Sequence, residues 1–227
     1  MNILDRLYEA FIPQGRYMLY LDGLLLTLKI TVLAVIIGMT IGVIVAIIKV
    51  SRKQNAIMGI LARIGDLYTT VIRGTPVLLQ LLIIYNLIFT SRSTSEVLVG
   101  AVCFGINSGA YIAEIVRAGI EAVDNGQAEA GRSLGFKQGE TMRYIILPQA
   151  IKNILPALGN EFIVLIKETS VGSVIAITEL TKAATLVGSR TYDILPPLFI
   201  AAAFYLILVL ILQKFQGKLE RRMAQVD

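Results

Sequence analysis

Hydrophobic residues in this chain fall in long blocks rather than at a helical or strand period. Five blocks reach the roughly 20 residues that a helix needs to cross a bilayer: residues 21–48, 67–90, 97–120, 155–178 and 194–213. The second is interrupted near its start by Gly74-Thr75-Pro76. The pattern predicts an all-α, polytopic membrane protein with five transmembrane helices in one domain over residues 1–227. Residues 57–72 read differently. Arg63 and Asp66 sit among apolar neighbours there, which predicts an amphipathic helix along the membrane surface. In the first block Gly38, Gly42 and Ala46 follow a small-xxx-small spacing that lets another helix approach closely.

Composition supports the membrane reading. The chain is 56% hydrophobic and 16% charged, where a soluble domain carries about 25% charged residues. The net charge of +5 is then read as topology. Lys49, Arg52 and Lys53 follow the first block, Arg132, Lys137, Arg143 and Lys152 lie between the third and fourth, and Lys214, Lys218, Arg221 and Arg222 follow the fifth. The alternate side holds only Arg6, Arg16, Arg92, Lys182 and Arg190. The richer side is expected in the cytosol, placing the N-terminus outside, the C-terminus inside and residues 121–153 in the cytosol. No basic stripe interleaved with aromatics points to nucleic acid. Residues 1–16 mix Asp5, Arg6 and Glu9 and do not read as a cleaved signal peptide, so the first apolar block is expected to direct insertion.

Candidate chemistry is narrowed by what the sequence lacks. One cysteine, Cys103, and no histidine exclude an internal disulfide and a Cys/His metal site, leaving Cys103 as a packing residue. No G-x-x-x-x-G-K-[ST] is present to cradle nucleotide phosphates and no G-x-S-x-G turn to expose a nucleophile. The chain reads as a translocation subunit rather than an enzyme.

The polar stretch 121–153 has local structure written into it. Asp124 and Gln127 suit a capping box, Ala128, Glu129, Ala130, Arg132 and Leu134 favour helix, and Gly135 can end it in the left-handed conformation. A second helical run over 138–147 is expected to stop at Pro148. A helix of about ten residues is marginal in water, so a partner that orders it explains the caps better than a solvated connector does.

This stretch also resembles a known family. Glu129-Ala130-Gly131, then Gly135, Ile145, Leu147 and Pro148 stand at the intervals of the EAA motif of importer permeases of the ATP-binding-cassette (ABC) class, with Gly131 in the usual place of alanine. Arg73-Gly74-Thr75-Pro76 with Gln80-Leu81, SGAYIAEIVRAGIEAV from Ser108, and LPQAIKNILPALGNEFIVLIKETSV from Leu147 look like its polar amino acid branch. Asp124-Asn125 replaces the Pro-Lys often found there. The resemblance implies the type I ABC importer permease fold in a prokaryotic inner or plasma membrane. It implies a coupling helix in which Glu129, Ala130, Gly131 and Gly135 meet a dimer of ABC ATPase subunits and Leu147 and Pro148 fix the exit. It implies ATP and Mg bound by those subunits and no cofactor here, an extracellular or periplasmic solute-binding protein, and alternating access driven by ATP. A second permease copy, or a homologous permease, would complete the pathway, with membrane lipid around it.

Ionisable and polar residues at membrane depth mark the expected substrate site. Glu114 and Arg117 share a face by their spacing of three, Ser108 and Tyr111 continue it, and Glu161 stands at similar depth on the antiparallel fourth block. Glu114 and Glu161 are expected to meet cationic groups of an amino acid and Arg117 its carboxylate, with Tyr111 and Asn86 lining the cavity. That favours a basic or polar amino acid. The alternative is that Glu114 and Arg117 pair with each other. Asp22 and Lys29 read as snorkelling or interface residues. A self-contained secondary transporter or channel for a small polar solute would use the same buried charges without needing the cytosolic loop. It is the rival reading.

Overall fold

The computed structural model describes residues 2–52, 54–89 and 94–224. Lys53, Thr90 and Arg92, which entered the charge and span readings, lie outside them. The described chain is helical: α1 (Ile3–Phe11), α2 (Arg16–Val50), α3 (Ala56–Gly74), α4 (Val77–Ile88), α5 (Glu96–Glu121), α6 (Asn125–Ser133), α7 (Gln138–Thr141), α8 (Leu147–Glu168), α9 (Leu180–Thr191) and α10 (Leu195–Ala224). Among the described residues, the stretches Pro13–Val50, Glu96–Glu121 and Leu195–Met223 are long and apolar enough to cross a membrane, and the bent pair α3 and α4 adds a fourth when counted as one broken span.

The first and fifth blocks correspond to longer helices, α2 and α10, and two other blocks depart further from their expected form. The second is two helices: α3 ends at Gly74 and α4 restarts at Val77. Pro76 occupies the cap, where its missing N–H costs nothing. The fourth starts as α8 at Leu147, eight residues before the expected 155, and gives way after Glu168 to a tight 3-10 run, Thr169–Ile175. Lys152, Glu161, Lys167 and Glu168 interrupt its apolar face, so α8 does not join the apolar spans.

The chain divides into two compact units, each drawing on α2, α5, α8 and α10. Unit 1 comprises Met1–Ile37, Pro76–Gly105 and Phe162–Phe215. Its core joins Ile30, Leu81, Cys103, Phe104, Leu165 and Ile177, so Cys103 is a packing residue as expected. A second cluster forms where Tyr20 stacks on Phe204 at 6.2 Å beside Leu180 and Val187. Glu179 caps α9 by accepting from the Thr181 and Lys182 amides at 2.7 Å each, and also accepts from the Tyr205 hydroxyl at 2.9 Å. α1 carries a capping box between Asn2 and Asp5. It is held by Arg6, whose guanidinium donates to both carboxylate oxygens of Asp193 at 2.7 and 2.8 Å.

Unit 2 comprises Gly38–Thr75, Ile106–Glu161 and Gln216–Asp227. The small-residue face of α2 is its spine. A Cβ on Gly42 would lie 2.6 Å from Ile112 Cγ2 and 2.9 Å from the Ala113 amide nitrogen, and one on Gly38 3.2 Å from the Gly109 nitrogen. Ala46 is buried with Ile112, Val116, Ala150 and Ile154. α3 has one buried face, Ala62, Gly65 and Thr69, in keeping with its amphipathic pattern. Gly65 lies against Val45, and the Tyr68 hydroxyl donates to the Ile106 carbonyl.

Candidate functional site

The polar stretch folds as a helical hairpin. The Asp124 carboxylate caps α6 by accepting from the Gly126 amide at 2.7 Å. The expected reciprocal bond from Gln127 is replaced by this tighter turn, which glycine at 126 permits. α6 ends as anticipated. Gly135 takes φ +89, its amide donates to the Arg132 carbonyl, and the Phe136 amide donates to the Gly131 carbonyl at 3.1 Å. These are the two bonds of a Schellman stop. Glu129, Ala130 and Gly135 are exposed on this hairpin.

Gly131 is placed otherwise. It is buried, and a Cβ there would stand 2.8 Å from both Ile145 Cδ1 and Thr141 Cγ2. Its small size serves the close approach of α6 to residues 141–145 of its own hairpin, a correction to its expected place on the partner-facing surface. Pro148 is the second correction, since it does not stop the helix. Residues Met142–Ile146 form one wide π turn in which the Leu147 amide reaches back to the Met142 carbonyl. A proline lacks the amide for an i−4 bond and its ring crowds that carbonyl. The widened turn just before it removes the conflict, and α8 runs on through Pro148. Leu147 and Pro148 are both exposed at this junction. The sequence reading gave Leu134, 76% exposed, only a helix-forming role and passed over Phe136, 40% exposed. An apolar pair flanking an exposed Gly135 was the signal available for them.

A cavity of about 770 Å³ opens in unit 2, lined by α2, α3 and α5 and by Asn125. Four cations, Lys49, Arg52, Arg73 and Arg117, face three carboxylates, Asp66, Glu114 and Glu121, around it. Glu114 is the hub. It pairs with Lys49, accepts from Arg117 at 2.7 and 3.1 Å, and lies 3.8 Å from Arg73. Lys49, its side chain 7% exposed, also meets Asp66 at 3.2 Å and Thr69 Oγ1 at 3.1 Å. Asp66 pairs with Arg52, and Arg117 with Glu121. Burial of the Lys49 and Glu114 charges is compensated by this pairing. Glu114 and Arg117 therefore meet each other, the alternative weighed from their spacing.

The other expected residues lie apart from this lining. Tyr111 is half-buried under the Arg73 guanidinium, 5.5 Å from its ring centre. Asn86 belongs to unit 1, is exposed, and donates to the Leu82 carbonyl at 2.7 Å. Glu161 is 9% exposed. Its carboxylate accepts from the fully buried Ser108 hydroxyl at 2.8 Å, and no cation pairs with it among the described residues. Sequence reasoning missed Lys49, Arg52, Asp66, Arg73 and Glu121 as members of the charged cluster. Lys49 follows an apolar block, where a lysine ordinarily reports topology, and its burial arises only when three helices converge.

Comparison with known proteins places this geometry in a family. Residues 38–225 match the family described as binding-protein-dependent transport system inner membrane component. The arginine transport system permease protein ArtQ of Bacillus subtilis is 40% identical over 222 residues, covering 97% of this chain and 98% of its own. A putative glutamine transport system permease protein GlnP of Rickettsia bellii is 41% identical over 220 residues, covering 96% and 99%. A crystal structure of an amino acid ABC transporter with histidines superposes with a TM-score of 0.85 at 46% identity, over 93% of this chain and 98% of that one. A MetNI methionine ABC transporter structure shares the fold, with a TM-score of 0.79 at 19% identity over 93% and 99% of the two chains. The all-helical chain, with its apolar spans and its Gly135-terminated hairpin before α8, belongs to the family of inner membrane components of binding-protein-dependent transport systems.

Proposed function

We propose that the chain is the translocation subunit of an ATP-driven importer that moves polar, basic amino acids into the cytoplasm by alternating access. Five membrane crossings, the N-terminus outside and the cytosolic placement of residues 121–153 are part of this reading, supported by the distribution of lysine and arginine. The exposed hairpin residues Glu129, Ala130 and Gly135 then meet an ATPase subunit, joined by Leu134 and Phe136, and a second permease copy completes the pathway. ATP and Mg belong to the ATPase subunits, and a solute-binding protein delivers the substrate. The relatives named for arginine and glutamine, and the transporter crystallised with histidines, support an amino acid as cargo.

One observation carries the preference for a basic side chain. Glu114 is already met by Lys49 and Arg117, whereas buried Glu161 holds only the Ser108 hydroxyl. A buried carboxylate without a cation is costly, and a substrate guanidinium or ammonium supplies one. Arg117 and Arg73, which line the cavity, suit the substrate carboxylate, with Tyr111 against Arg73 as a polar neighbour. The test is a thermal-shift screen of the purified complex against the common amino acids, repeated with Glu161→Gln, alongside uptake into liposomes. Arginine or lysine should stabilise the native complex, the variant should lose that response, and uptake should need ATP. If no amino acid stabilises the complex the substrate reading fails. Uptake without ATP would establish the self-contained transporter instead.

A further inference from the structure

Two charges on α2 have no role in the site above. Asp22 and Lys29 are exposed, stand two helical turns apart on one face, and make no hydrogen bond or ion pair among the described residues. Both line one groove of about 360 Å³ in unit 1, whose other walls are mostly apolar: Leu19, Leu25, Leu26 and Leu186, with the small residues Gly23 and Ala183 and one polar residue, Thr178. An ionised side chain turned towards hydrocarbon is costly and calls for a partner.

The depth of the two charges identifies that partner. From Ile30 to Ile48 α2 carries no charge, a length of about 28 Å at 1.5 Å per residue, close to the ~30 Å hydrocarbon core. Lys29 thus stands at the edge of the hydrocarbon and Asp22 about 10 Å further out, in the headgroup layer. Long side chains on a helix lean towards its N-terminus, which carries the Lys29 ammonium part of the way towards Asp22. A phospholipid with an amine headgroup presents its charges in the matching order, phosphate beside the hydrocarbon and ammonium outside it. We propose that this groove binds an amine-bearing phospholipid, with Lys29 on the phosphate, Asp22 on the ammonium and the leucine walls along an acyl chain.

Other occupants fit less well. A free amino acid holds its ammonium and carboxylate on one carbon and would lay a polar side chain against leucines. A second copy related by a two-fold axis along the membrane normal sets Asp22 against Asp22 and Lys29 against Lys29 at equal depths, which is repulsive.

The full-length chain is purified into nanodiscs of phosphatidylethanolamine and phosphatidylglycerol in equal parts, and retained lipid is measured by mass spectrometry after delipidation. Wild type should keep phosphatidylethanolamine over phosphatidylglycerol by about fivefold, the order expected of one interfacial charge contact. Asp22→Asn should invert the preference, because Lys29 alone favours the anionic lipid. Lys29→Gln should lose both lipids. The double exchange of Asp22→Lys with Lys29→Asp preserves net charge and the exposed positions, and should also lose the preference while its unfolding temperature stays at the wild-type value. Equal lipid ratios in all four proteins would overturn the site. So would displacement of the bound lipid by millimolar free arginine or glutamine, and so would a disulfide joining two copies through Asp22→Cys.

Discussion

Replacing Lys49 by methionine tests whether the charged cluster of unit 2 is a connected network. The Lys49 ammonium is 7% exposed and meets Glu114, Asp66 and Thr69, and the Glu114 side chain is 16% exposed. Removing one partner of a buried ion pair costs about 3–5 kcal/mol when the other is left unpaired. Here each acceptor keeps a cation, since Glu114 retains Arg117 and Asp66 retains Arg52. The loss should therefore fall below that range, at about 2 kcal/mol. For a chain of this size each kcal/mol lowers the midpoint by about 2–4 °C, which gives a fall of roughly 4–8 °C. Glu114→Leu should cost more, about 3 kcal/mol, because it strips an acceptor from Lys49 and Arg117 together and leaves four cations facing two carboxylates. The double variant removes both charges and fills their space with apolar atoms, so it should lie within about 4 °C of wild type. Thermal unfolding of the four purified proteins in one detergent completes the cycle. Additive losses in the double variant, or a Lys49→Met midpoint equal to wild type, would refute the network.

Gly42→Ala should destabilise unit 2, because the added Cβ meets the Ala113 amide nitrogen at 2.9 Å and a backbone atom cannot swing aside. Overpacking of about 1–3 kcal/mol outweighs the ~1 kcal/mol gain in helix propensity, and a lower midpoint in the same unfolding assay is the readout. Leu134→Ser should weaken retention of the ATPase subunit. Burying a leucine is worth about 1.5–3 kcal/mol, or roughly 10–150-fold in Kd, measurable by titrating the detached subunit onto the permease. The bonds from Arg6, and then its positive charge, hold the Asp193 carboxyl below its ordinary value, while the bonds to Asp193 raise the Arg6 pKa. A carboxyl whose folded pKa is depressed adds stability that is present above its unfolded pKa, near 3.9, and is lost as pH falls through the folded value. Release of α1 should thus appear below about pH 4, read as proteolysis near Phe11. It should be absent in Asp193→Asn, where the contact is weakened at every pH.

How far sequence carries in this molecule depends on the range of the force that decides each feature. Gly135 was legible because only backbone sterics at a positive φ are at stake, and Gly38, Gly42 and Ala46 were legible because helix period alone puts them on one face. Thr75-Pro76 marked the break between α3 and α4 for the same local reason. Pro148 was misread because the rule for proline assumes an ordinary α-helical turn before it, and the π turn over Met142–Ile146 is a property of that whole hairpin. Gly131 was misassigned because its neighbours, Thr141 and Ile145, come from the returning arm and not from its own helix. The charges divide along the same line. Arg117 could be paired with Glu114 by counting three residues, but Lys49 reaches Glu114 across 65 positions and Ser108 reaches Glu161 across 53. A carboxylate's depth can be read from one helix, whereas its partners are fixed by which helices converge on it. Converging helices therefore separate Glu114, enclosed by cations, from Glu161, which holds only a hydroxyl. Under the proposed function, that difference assigns the cationic group of the substrate to Glu161 rather than Glu114.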